Sequence, residues 1–229
     1  MKNLTPGNLS QGNIISMKEK IGNDLSEKYK EILIKYLDDR KFNEEKIYSW
    51  INNILEDAKE YFTKKYIDYN LFLYCYICPK SLTFRSNYTT ISNKKTDSPG
   101  SVNFSSESMY CVFYYFYYLN KTLNYSIDDF ESELIIKCNK IFSKHLDERT
   151  FNYEKIITYN KNINDEYIYF ILSKNNSLRC FCLNEIYKNP ISYNYCFKYL
   201  SHGKNIYSKK IQTYTNDSLT SCNYLFFFK

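Results

Sequence analysis

A chain of 229 residues with 44% hydrophobic and 24% charged residues, five Gly and four Pro can bury a real core and fits one large domain or two small ones. This excludes collagenous, extended-disordered and small disulfide-stapled classes, and a net charge of +6 spread over both halves is too even for a dedicated polyanion surface. No window offers the roughly 18 unbroken apolar residues of a membrane-spanning helix and the start lacks a signal-peptide core, so the expectation is a soluble, intracellular protein.

In chain order, residues 1–17 read as a polar N-terminal tail. Leu25, Tyr29, Ile32, Leu33, Tyr36 and Leu37 then hold the stripe of an amphipathic helix. Asp38, Asp39 and Arg40 read as its solvated end before a tight turn. Asn43 is placed as the N-cap of a second helix, with acids in its first turn and Ile47, Trp50, Ile51, Ile54, Leu55, Ala58, Tyr61 and Phe62 along one side. The period then changes from 3.6 to 2, which predicts strands at 70–78, 82–90, 101–105 and 109–119. The stretch 92–100 reads as a loop and 106–108 as a tight turn. Residues 120–126 form a joint.

After the joint the pattern starts again. Displaced by 109 positions, residues 28–54 match 137–163 at 13 of 27 positions, and Leu37–Ile47 matches Leu146–Ile156 at eight of eleven. The helical stripe recurs as Leu134, Cys138, Ile141, Phe142, His145 and Leu146, and Asn152 recurs as the N-cap. Strands follow at 178–184, 191–200, 210–215 and 222–228. The fold class is therefore α+β, with two tandem domains at 18–119 and 127–229, each of two helices followed by a four-stranded antiparallel sheet.

With the residues laid out in this way, the first copy resembles the Tctex-type dynein light chain family. The residues that carry the likeness are Phe42, Lys46 and Trp50 on the second helix, the apolar strand from Tyr69 to Cys75, and Met109, Tyr110 and Cys111 on the last strand. The second copy keeps Phe151, Lys155 and Ile156 and a Cys222 on the last strand, with Tyr159 in place of the Trp and Leu219-Thr-Ser where Met-Tyr stood. The resemblance implies that two units pair by exchanging their second strands. Here they would do so within one chain, as a monomeric pseudo-dimer. It also implies a non-catalytic light chain of the microtubule motor dynein, in the cytoplasm or an axoneme, binding an intermediate-chain peptide and in addition other dynein subunits or cargo. The peptide would add to the edge of the exchanged strands, at Phe84, Ser86 and Tyr88 in the first copy and Tyr193, Tyr195 and Phe197 in the second.

Other chemistries are weaker. Cys75 and Cys78, three apart on a strand, point to opposite faces, so all eight Cys are expected to be reduced thiols, with no metal and no cofactor. His145 lies in the helical stripe and His202 reads as a turn residue, and no catalytic pairing or phosphate loop is visible. The aromatic run 110–118 fits a strand buried on both faces better than a base-stacking platform, so no nucleic-acid or membrane partner is expected. The alternative function is an interaction adaptor of the same fold outside dynein.

Overall fold

The computed structural model describes residues 11–119, 131–174, 178–189, 196–202 and 206–228; the joint expected at 120–126 lies outside them. Helices α1 (Gln11–Leu37) and α2 (Glu44–Lys65) precede strands β1 (Tyr69–Pro79), β2 (Phe84–Ile91), β3 (Ser98–Ser105) and β4 (Met109–Leu119). Helices α3 (Glu131–Leu146) and α4 (Tyr153–Lys174) precede β5 (Arg179–Lys188), β6 (Cys196–His202), β7 (Ile206–Thr215) and β8 (Leu219–Phe228). The order and type of every element follow the sequence pattern. The described part of α1 reaches back to Gln11, inside the stretch read as a tail. His202 closes a strand rather than forming a turn.

The repeat is visible in the joints as well as the elements. Each first helix ends with a residue in the left-handed region, Asp39 at φ 56° and Glu148 at φ 58°, which turns the chain towards the second helix. Asn43 Oδ1 then accepts from the Glu45 and Lys46 amides, and Asn152 Oδ1 accepts from those of Glu154 and Lys155. The helix pairs are tied in the same place. Lys35 and Tyr36 converge on Asp57 in the first unit, and Lys144 and His145 converge on Glu166 in the second.

Strand pairing does not respect the two units. One sheet has the order β3-β4-β1-β6 and the other β2-β5-β8-β7, so each receives its fourth strand from the other half of the chain. The exchange expected from the resemblance is therefore present, within one polypeptide. α1 and α2 cover the outer face of the first sheet, and α3 and α4 that of the second. The inner faces meet. β1 sends Leu71, Leu73, Cys75 and Ile77 under the helices and Phe72, Tyr74, Tyr76 and Cys78 into the space between sheets. β5 and β8 meet them there with Phe181, Leu183, Tyr187, Tyr224, Phe226 and Phe228. Phe72 packs at 4.6 Å from Phe226 and 5.2 Å from Phe181, ring centre to ring centre.

β3 is longer than its sequence suggested, because Ser98-Pro99-Gly100 joins it. The strand is an edge, where Pro is tolerated, and Gly100 leaves room for the Tyr115 ring, whose Cζ lies only 2.1 Å from where a Cβ would stand. Just upstream, Asp97 remains in the loop but is buried. It receives Arg179 of β5, Nε to Oδ2 at 2.8 Å and Nη2 to Oδ1 at 3.3 Å, which makes a buried ion pair between the halves.

One carboxyl between the sheets has no cation. Glu185 is 1% exposed and accepts from Tyr187 at 2.6 Å, from Tyr74 at 3.2 Å and from Tyr224. Burial pushes its carboxyl up to about 7, and burial also holds the Tyr74 and Tyr187 hydroxyls well above their usual value, so they remain donors. The folded state thus binds this proton more tightly than the unfolded chain. The stability that Glu185 contributes is complete below its ordinary value near 4.5 and is lost as pH rises through about 7. Denaturant titrations between pH 5 and 8 should show wild type losing stability over that window relative to Glu185→Gln, whose slope should be flatter. Equal slopes would contradict the buried, proton-bearing carboxyl.

Candidate peptide-binding groove

β2 lies at the edge of its sheet, paired only with β5. The Lys188 amide donates to the Thr83 carbonyl, so the odd-numbered residues continuing into β2 turn their N–H and C=O towards β5. Phe84, Ser86, Tyr88 and Thr90 consequently turn theirs to the open side. The odd residues are held a second time from above. Asn160 and Asn164 of α4 donate to the Arg85 and Asn87 carbonyls at 3.3 and 3.2 Å. A step of four residues on a helix, about 6 Å, matches two residues on a strand, about 6.6 Å. Asn160 is itself fixed by Asn184 Nδ2 at 2.6 Å, and Ser221 Oγ donates to Asn184 Oδ1.

Beside the open side of β2 runs a groove of about 480 Å³. One wall is Thr83, Phe84, Arg85 and Ser86 with Tyr153 from the start of α4. The other is the β3–β4 hairpin of the opposite sheet, with Asn103, Phe104, Ser105, Tyr110, Val112 and Tyr114, and Lys80 closes one end. Lys80 Nζ donates to Ser105 Oγ at 2.7 Å and the Ser106 carbonyl at 3.0 Å and stands 4.3 Å from the centre of the Tyr110 ring. The Arg85 guanidinium stacks 3.9 Å over Tyr153, while its buried Nε has no hydrogen-bond partner.

The structure distributes the residues singled out in the sequence over three places. Phe84, Ser86 and Tyr88 give the groove its outward backbone groups, but their side chains lean into the inter-sheet core. Phe84 stacks on Tyr187, Tyr88 on Phe181, and Ser86 Oγ is 2.6 Å from Tyr114 Oη. Phe197 is on β6, which pairs with β1 as an edge, whereas Tyr193 and Tyr195 lie outside the described residues. Of the family motif, Trp50, Met109 and Cys111 are core residues and Lys46 is an exposed residue of the first turn of α2. The Phe42 amide donates to Ser108 Oγ, a bond repeated between Phe151 and Ser218. Of the motif, Tyr110 and Cys111 line the groove. Cys75 and Cys78 do fall on opposite faces of β1, and the seven cysteines with described side chains are buried. Burial pushes Cys78, Cys138 and Cys182 up to about 12, which keeps them as thiols.

Residues 22–118, from within α1 to the end of β4 but for its last residue, match the model of the Tctex-1 family. The first unit is similar to the Tctex-1 family over this span. No curated protein matches the chain. The second unit has the same order of helices and strands as the first. Sequence reasoning missed Lys80, Phe104 and Tyr153 as groove residues. Lys80 follows the end of a strand and Tyr153 belongs to the other half, so neither falls on the alternating set of β2.

Proline scanning should read this geometry directly. Asn87→Pro removes an amide that faces β5 and should cost about 1–3 kcal/mol more in chemical denaturation than Ser86→Pro, whose amide faces the open side. The reverse ranking would place the free edge on the other set of residues.

Proposed function

We propose that the chain is a non-catalytic dynein light chain that holds an extended segment of a dynein intermediate chain along β2. The observation that carries this reading is the unpaired backbone edge of β2 opening onto the groove, in a unit similar to a family of dynein light chains. An extended segment can satisfy the outward N–H and C=O groups of Phe84 and Ser86, while its alternate side chains enter between Phe104, Tyr110 and Tyr153. Phe84, Ser86 and Tyr88 act through the backbone in this reading, and β6 with Phe197 offers the second edge. Among the described residues no helix is long and apolar enough to cross a membrane.

The exchange is satisfied inside one chain, so the protein works as a monomer of 27.6 kDa that presents two inequivalent grooves. Cargo and other dynein subunits would attach through the bound intermediate chain. An adaptor of the same fold outside dynein would use the same groove with another ligand.

Purified intermediate chain should be captured by the full chain and lost on Ser86→Pro while Ser86→Ala retains it, with light scattering giving the monomer mass throughout. Undiminished capture by a folded Ser86→Pro protein would move the binding site off β2. Absence of capture by wild type would favour the adaptor reading.

A further inference from the structure

The β2 groove carries two cations that the fold leaves without counter-ions. Lys80 donates only to neutral oxygens, and Arg85 lies on a tyrosine ring with its buried Nε unpartnered. Neither forms an ion pair among the described residues, although several exposed lysines elsewhere on the helices do. No acidic side chain is among the described residues lining the groove. In the other half neither cation has a charged counterpart, and the place of Tyr153 is taken by the exposed Glu44. Lys80 corresponds to Asn189, whose amide group is satisfied by the Asn216 carbonyl and by Thr220, and by strand register Arg85, opposite Ile186, corresponds to Cys196, opposite Ile77. Lys198, on β6, is turned away to Asn52 of α2 at 2.5 Å.

We infer that the β2 groove selects an extended peptide bearing carboxylate side chains, and that this selectivity belongs to this groove and not to its counterpart in the second half. The inference rests on the peptide-binding reading above and adds the chemical class of the ligand. The two aromatic rings hold the cations against the groove walls, so little side-chain freedom is left to lose when a carboxylate docks. Arg85 offers a planar fork with an unused buried donor, which suits a carboxylate better than a neutral group. A lysine or arginine on the ligand would meet two unscreened like charges at the same wall.

A random dodecapeptide library displayed on phage, selected against the full chain with Ser86→Pro as the background, tests this. Enriched sequences should carry Asp or Glu within an alternating extended pattern. Synthetic copies should bind wild type about tenfold more tightly than either Lys80→Glu or Arg85→Glu, each checked for folding by circular dichroism. Both charge-reversed proteins should select Lys- or Arg-bearing sequences instead. Enrichment of neutral or basic sequences on wild type, bound equally by the reversed proteins, would overturn the charge selection while leaving the groove as a peptide site. No enrichment over Ser86→Pro would overturn both.

Discussion

Everything else in this molecule depends on the exchange of β2 and β6 between two sheets encoded in series. A two-helix, four-strand unit that kept its own second strand would have no reason to lay its inner face against another. Because β2 is hydrogen-bonded to β5 and β6 to β1, the two sheets are held face to face, and Phe72, Tyr74, Phe116, Phe181 and Phe226 can be buried between them. The same exchange places the free edge of β2 beside the β3–β4 hairpin of the opposite sheet. The groove is therefore a product of the exchange, since its walls belong to different sheets.

The two halves receive their foreign strands by different means. Under α2, the layer that meets β6 is apolar, with Ile51, Leu55, Leu73, Cys75, Cys111 and Phe113. The equivalent places under α4 are Asn160, Asn164, Cys182, Asn184, Ser221 and Asn223, and this polar seam reaches the carbonyls of Arg85 and Asn87. Asp97 and Arg179 add a buried ion pair next to the same strand, where the first half has Asn70 in place of Arg179. Directional bonds fix register where apolar contacts would tolerate a slip, because a shift by one residue would strand several buried polar groups at once. The reception of β2 is thus the more closely specified of the two, on the side where the charged groove lies.

Much of this was legible in the sequence because the repeat carries both residue identity and period. The helix pairs, the Asn caps and the turn at Asp39 and Glu148 could be read from one copy and checked in the other. The strands alternate strongly enough that β1 and β4 were placed to within a residue. What the pattern could not carry was which strand pairs with which half, and that came through the resemblance. Alternation along β2 separated Phe84, Ser86 and Tyr88 from Arg85 and Asn87 but could not say that the first set turns inward between sheets while its backbone faces out. Ser98-Pro99-Gly100 looked like a loop because the ring of Tyr115, which explains the glycine, is 15 positions away. Asp97 looked solvated because Arg179 is further still, and Glu185 drew no notice as a single acid in an apolar strand.

The exchange itself can be tested by a covalent bridge at one register position. Ile91 of β2 is opposite Cys180 of β5, and both lie in the same buried layer under α3 and α4. Oxidation of an Ile91→Cys protein at micromolar concentration should join positions 91 and 180, identified by peptide mapping, in a product that still runs at 27.6 kDa without reductant. A bridge found only in a covalent dimer of twice that mass, or no bridge between these positions, would contradict exchange within one chain.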